Sequence, residues 1–291
     1  MLIFFGFIAV IASVLGGFML AGGSLGVLMQ PAEVIIICGA AAGAFLASNN
    51  GKAVKATLKA LPRLRKSGKY NKELFMELMG LLYLLLSKGR QEGMMSLEKD
   101  VEDPQQSALF ARYPKLLADP VLMEFLTDYL RLMISGNMDA FEVESLMDHE
   151  IETFQHEADI PAHALSNVAD GLPAFGIVAA VMGVINALGA PGLEASLLGP
   201  LIAHALVGTF LGILLAYGFV SPLATFMRHQ ISETDKMLQC IKVTLLANLN
   251  GYAPPIAVEF GRKTLYSTER PTFSELEEHM RSVRSQPASG G

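Results

Sequence analysis

The 291-residue chain has no tryptophan, only two cysteines and little charge: Asp, Glu, Lys and Arg make up 17% of it, against ~25% in an ordinary soluble domain. The shortage is local. Residues 1 to 32 carry no charged side chain, and residues 171 to 227 carry only Glu194. With 52% apolar residues, this excludes disorder, collagen and an ordinary cytosolic enzyme as descriptions of the whole chain. Without tryptophan, any interfacial aromatic belt rests on tyrosine. Cys38 and Cys240 have no metal-ligand spacing and read as reduced structural thiols. No Gly-rich phosphate loop runs into Lys and Ser/Thr, and no nucleophile, base and orienting group cluster at a plausible spacing. No catalytic residue, metal site, bound cofactor or nucleic-acid partner is therefore assigned, and strand alternation is nowhere persuasive.

What is present is a set of long apolar runs. About 20 residues at 1.5 Å each cross a ~30 Å hydrocarbon core, and the chain offers four such windows, at about 2–21, 33–49, 171–190 and 199–222. The first lacks the basic n-region of a signal peptide and exceeds an h-region in length, so it reads as a retained span. Lys52, Lys55, Lys59, Arg63, Arg65, Lys66, Lys69 and Lys72 follow the second window, whereas the 22–32 and 191–198 connections hold no basic residue. By the positive-inside rule both termini face the cytoplasm, and the basic run serves topology and contact with lipid headgroups.

Residues 50–170 are too many for a loop. Leu78, Leu81, Leu82 and Leu85 are spaced for one buried helix face too short to span. Further helices are expected at about 105–118, 120–135 and 139–158, with breaks at prolines including Pro161. From Glu73 to Asp159 there are 18 acids against six bases, a net of about −12, so an acidic domain lies below a basic collar. His149, His156 and His163 recur every seventh residue but read as a solvated face. The fold expected is an all-α integral membrane protein: four transmembrane helices, a helical cytoplasmic domain inserted between spans two and three, and a cytoplasmic tail over 223–291.

No span is expected to hold an acid or base well inside the membrane, so the chain alone has no carboxylate to load and release a cation. Small residues are plentiful instead. Gly39 with Gly43 and Gly208 with Gly212 have the spacing that brings helices close. Counting inward, Thr209 and Ala180 each lie ~14–15 Å deep and share the midplane, while Pro173 and Pro222 sit nearly level at the cytoplasmic ends. Thr209 is either bonded to its own helix backbone or lines a polar path. Tyr217 lies eight residues further along, and His204, nearer the outer face, is the one conventional proton-binding side chain within a span.

The stretches Leu172 to Gly183, Val207 to Gly218 and Gly251 to Arg262 closely resemble the MotA family of bacterial flagellar stator subunits, and the resemblance extends over nearly the whole chain. It implies a homo-oligomer, a pentameric ring around two copies of MotB, which brings the membrane-embedded Asp and the peptidoglycan anchor. It also implies proton flow coupled to torque on the rotor protein FliG. Arg90 and Glu98 match the family's rotor-contacting charges. Pro173 and Pro222 match its ion-coupled prolines, Thr209 the hydroxyl beside the partner's Asp, and Tyr217 an aromatic lower in that helix. Sodium-driven relatives resemble this sequence but carry a hydroxyl near Ala180; here residues 172–188 contain no Ser or Thr, so protons are expected rather than sodium. The alternative is an energiser of outer-membrane transport of the ExbB/TolQ type, which four spans and the Arg90 to Glu98 segment disfavour.

Overall fold

The computed structural model describes residues 2–65, 70–136, 138–189 and 195–285. Glu194 with the 190–194 connection, Lys66, Lys69 and the tail 286–291 lie outside the described residues. Among those described there is no strand. Helices α1 (Leu2–Leu20), α2 (Leu25–Leu28) and α3 (Pro31–Ser48) are followed by α4 (Gly51–Ala60) and a 3₁₀ turn, Leu61–Arg65. Helix α5 (Lys72–Glu92) leads through a 3₁₀ turn, Met94–Leu97, into α6 (Glu98–Glu102). A further 3₁₀ turn, Phe110–Arg112, precedes α7 (Pro114–Leu117) and α8 (Pro120–Ser135). The chain continues through α9 (Ala140–Gly189), α10 (Ala195–Leu215), a π-helical segment (Ala216–Val220), α11 (Ser221–Leu249), α12 (Pro254–Thr264) and α13 (Phe273–Ser285).

Four of these stretches are long and apolar enough to cross a membrane: α1, the Leu25–Ser48 stretch, α9 and the Gly199–Leu249 run. The last two extend well beyond a bilayer's thickness, at 50 and 51 residues. Pro161 does not break its helix, because α9 runs uninterrupted through both Pro161 and Pro173. Each proline removes one backbone donor, but Ala162, next to Pro161, is fully buried in a cluster with Leu64 and Met227, and such packing outweighs a lost hydrogen bond. Pro222 likewise does not terminate a helix; it lies at the start of α11, directly after the π-helical turn. Its ring would clash with the carbonyl of Gly218, and the wider π turn over 216–220 absorbs that conflict. The helix expected over 105–118 is instead a set of turns. Ser107 donates to Asp100 (2.6 Å) and accepts from the Leu109 amide (3.2 Å), local bonds that compete with a helical ladder.

The chain divides into two compact units. The first, residues 1–67 and 157–230, is apolar on its outside. No residue of α1 is buried, and Phe4, Phe5, Ile8, Ile35, Ile185 and Leu188 are all exposed. A soluble surface does not carry so much uncovered apolar area, whereas a hydrocarbon solvent favours it. Its buried cluster combines Ile37 and Leu172 with three alanines, Ala41, Ala179 and Ala216. Helix α1 leans on the π segment, with Phe7 and Phe219 ring centroids 5.1 Å apart.

The second unit, residues 68–156 and 231–291, has an ordinary hydrophobic core. Leu78, Leu81, Leu82 and Leu85 of α5 are fully buried, as their spacing of three and four predicts. They share one buried cluster with Phe125, Leu126 and Leu130 of α8, Met147 and Ile151 of α9, and Ile241 and Leu245 of α11. Charged and polar pins bind these helices: Tyr129 donates to Glu150 (2.7 Å), and Lys242 to Asp148 (2.6 Å). The start of α9 carries a capping box, in which Asp139 Oδ1 accepts from the Glu142 amide and Glu142 Oε2 from the Asp139 amide. His149, His156 and His163 are all exposed, as a solvated face requires.

Candidate functional sites

In the first unit, α9 and α10 pack so closely that backbone meets backbone. A Cβ on Gly176 would lie 2.7 Å from the Gly208 carbonyl oxygen, and one on Gly212 would lie 2.7 Å from that of Leu172. One on Gly183 would stand 2.8 Å from Ala205 Cβ. Only glycine permits this approach at these positions, and it fixes the register of the two helices. Of the small-residue pairs noted in the sequence, Gly208 and Gly212 belong to this seam. At Gly39 and Gly43 an added Cβ would meet nothing within 4 Å among the described residues.

The register sets depth. A Cβ on Gly208 would stand 3.1 Å from the Ala180 backbone nitrogen, so Ala180 and the neighbouring Thr209 share a level, as counting inward from the span ends predicts. Pro173 and Pro222 do not. Leu172 is level with Gly212, and Pro222 follows Gly212 by about ten residues, ~15 Å of helix. The expectation of a common depth fails because it takes each proline as the end of a span of fixed length, whereas contact between the helices sets their register. Thr209 is half-buried, and Tyr217 is exposed within the π segment.

One side chain at this level escapes a reading by hydropathy. Glu33 is the terminal residue of the second apolar window, but α3 starts at Pro31, and Glu33 is only 8% exposed. Its Oε2 is fully buried without a hydrogen-bond partner and occupies the space a Cβ on Gly208 would need. The sequence does hold a signal: Pro at a first helical position marks the start, which brings the acid inside.

The second site lies in the other unit. Arg90, in the last turn of α5, and Glu98, at the start of α6, are both exposed. Between them Gly93 adopts φ 89°, a left-handed conformation only glycine takes readily. A Cβ on Gly89 would lie 2.8 Å from Met94 Sδ, so the turn folds tightly back on α5. Lys88 then reaches Asp100 at 2.7 Å, with the Asp100 side chain only 12% exposed, and Asp100 also accepts from Ser107. Neither Arg90 nor Glu98 has an ion-pair partner among the described residues, so a rigid, paired base presents two uncompensated charges to solvent.

A third cluster surrounds the C-terminal helix. Lys72 bonds Glu275 at 2.7 Å and, with the Thr272 amide, holds its carboxyl down at about 2. Arg112 donates to the Val283 carbonyl at 3.1 Å. Gly80 leaves room for His279 Nε2 and Tyr113 Oη, each of which would stand 2.8 Å from a Cβ there. Burial pushes the His279 imidazole below its usual 6.5.

Residues 4–93 match the family described as motility protein A N-terminal, and residues 117–239 match the MotA/TolQ/ExbB proton channel family. Motility protein A of Escherichia coli is 63% identical over 98% of this chain and 96% of its own length, and that of Salmonella typhimurium is 62% identical over the same shares. In structure, the chain is similar to Campylobacter jejuni MotAB (TM-score 0.77, 20% identity, 91% of this chain and 95% of that one). It is also similar to the Bacillus subtilis flagellar MotAB stator complex (TM-score 0.73, 23% identity, 94% and 98%). The helical bundle with its glycine seam is thus of the MotA/TolQ/ExbB proton channel class. Within that class, the chain belongs to the motility protein A family.

Proposed function

We propose that the chain is the stator subunit of a flagellar motor, which with MotB forms a proton-conducting complex and turns ion flow into torque on the rotor. The observation that carries this reading is the 63% identity with Escherichia coli motility protein A over 98% of the chain, since it covers both the apolar unit and the charged one. In this reading α1, α3, the C-terminal part of α9 and α10 are the four spans of an inner-membrane protein with both termini in the cytoplasm. The second unit is the main part of the cytoplasmic domain expected over 50–170, joined by the chain from residue 231 on. Lys52, Lys55 and Lys59 on α4, all exposed or half-exposed, then lie at the cytoplasmic headgroups.

Five copies form a ring around two MotB helices, whose Asp loads and releases the proton. Thr209 and Ala180 flank that Asp. Thr209 supplies a hydroxyl, and Ala180 supplies no sodium ligand, which favours protons. Pro173 on α9 and, ~15 Å lower, Pro222 with Tyr217 at the π turn are the deformable points of the two helices. Each proline lacks a backbone hydrogen bond, so the helix there bends at lower cost than elsewhere. Arg90 and Glu98 meet opposite charges on FliG. A proton crossing 100 mV releases ~2.3 kcal/mol, enough to bias a few noncovalent contacts per step without covalent chemistry in this chain.

The test is swimming and tethered-cell rotation in a strain lacking the gene, with the driving force varied by an uncoupler and by removing sodium. Complemented cells whose rotation stops with uncoupler and is indifferent to sodium support the reading. Dependence on sodium overturns the ion assignment, and normal motility of the deletion strain with defective outer-membrane uptake transfers the chain to the ExbB/TolQ type.

A further inference from the structure

We propose that Glu33 is a proton-binding group of the ion path in its own right, carried by this chain in addition to the partner's carboxylate. The inference rests on the stator reading above and deepens it by giving the ring an ionisable group of its own within each copy.

The geometry is specific. Glu33 is the third residue of α3, and its side chain enters the interface of α3 with α9 and α10. Oε1 lies 3.4 Å from where a Cβ on Gly183 would stand, and Oε2 occupies the place of one on Gly208. Gly208 is what leaves room for the carboxyl; a Cβ on Gly183 would only touch it. Around the same two glycine positions stand Ala179, Ala180 and Ala205, none of which carries charge. The ionisable groups on these elements near this level are His204, beside Ala205, and the exposed Cys38 on α3. No cation faces the carboxyl among the described residues, and Oε2 has neither solvent nor hydrogen-bond partner.

Ionisable groups in such places are costly and mark ion pathways. Glu33 also lies at the Ala180–Gly208 level, one residue from Thr209, the level at which the partner's carboxylate is placed. Its Oε1 reaches about one turn further out, to the Gly183–Ala205 level, so with α3 starting at the outer face the carboxyl opens from the outer side onto the level of that carboxylate. The step it performs is a plain proton transfer. An O–H bond forms on Glu33 as hydronium from the outer side becomes water. That bond then breaks as the proton passes, directly or through water, to the partner's carboxylate, and Glu33 is left as the anion until the next proton arrives. Opening of the α9–α10 seam lets water reach the transient anion, which couples proton release to helix movement.

The test measures tethered-cell rotation speed against external pH in cells carrying the full chain with MotB, as the unmodified protein, E33Q and E33D. Glutamine has the shape of the neutral acid but cannot release a proton. The expected result is E33Q at normal membrane level and bound to MotB, with speed reduced several-fold, and E33D rotating with a shifted external-pH dependence. E33Q turning at the unmodified speed across the pH range overturns the proposal, as does equal loss in both variants without a pH shift, which is a packing effect. If E33Q does not accumulate, infrared spectra of the otherwise unmodified complex carrying Asn at the partner's Asp decide. A carboxylic-acid carbonyl band that disappears on raising pH, is displaced by isotope-labelled glutamate and is no longer displaced in E33D supports Glu33, and its absence overturns it. Failure of the unmodified chain to support uncoupler-sensitive rotation instead overturns the stator reading itself, so the two failures are distinguishable.

Discussion

Gly176 on α9 and Gly212 on α10 meet backbone to backbone: a Cβ on Gly212 would lie 2.9 Å from Gly176 Cα, and one on Gly176 would lie 3.1 Å from Gly212 Cα. No side chain fits between them, so alanine at either position forces the helices apart. Overpacking of this kind costs about 1–3 kcal/mol. G176A and G212A should each lower the thermal midpoint of the purified complex, and the double variant should cost less than the sum, since one displacement relieves both clashes. Gly39→Ala, with open space around the new methyl among the described residues, should lower that same midpoint far less; an equal fall in all three would show that the seam is not special.

Arg90 is exposed on a base held by the Lys88–Asp100 pair. R90E should abolish or strongly reduce torque while the chain inserts and binds MotB normally, and a charge reversal on the rotor should partly restore it. Rotation speed at high load is the readout. Loss that no rotor reversal rescues would count against an electrostatic contact.

Pro173 lies inside α9, where any other residue would complete the helical ladder. Pro173→Ala should stiffen the helix by restoring one backbone hydrogen bond. The complex should assemble at normal size by chromatography and gain thermal stability, while rotation stops. A complex that no longer assembles would make the proline structural.

His279 gives the docking of α13 a pH dependence. Its folded-state value lies below the unfolded 6.5 because burial disfavours the cation. The folded form therefore binds fewer protons, so the contribution to docking is present above about 6.5 and is lost as pH falls through the folded value. Glu275, held at about 2 rather than 4.5, loses its contribution only far lower. Hydrogen exchange in α13 should therefore accelerate as pH falls below about 6.5, beyond the intrinsic rate change, and His279→Gln should remove that dependence. Unchanged protection of α13 down to pH 5 would show that the imidazole is not buried in solution.

Helical class, the four apolar runs and the α5 core are legible in the sequence because each rests on periodicity or on length, which are local. Leu78, Leu81, Leu82 and Leu85 declare a buried face whatever they pack against. The level shared by Ala180 and Thr209 is legible for the same reason, by counting residues along apolar runs. Pro161 and Pro222 mislead, since a proline's local preference for a helix end yields to packing on Met227 and to a π turn. Glu33 is hidden by a boundary only two residues wide of the helix start.

By itself the sequence determined that this chain partitions into an apolar part and an acidic, charged part, because hydropathy and charge are sums over neighbours in the chain. The two charges Arg90 and Glu98 came from the resemblance alone, and the glycine turn between them, at Gly93, came with the structure. Only the tertiary structure decided the register of α9 on α10, which places Pro173 and Pro222 at different depths and brings the Glu33 carboxyl between Gly183 and Gly208. That register depends on which glycines of two distant segments touch, and contact between segments is not encoded in the period of either one.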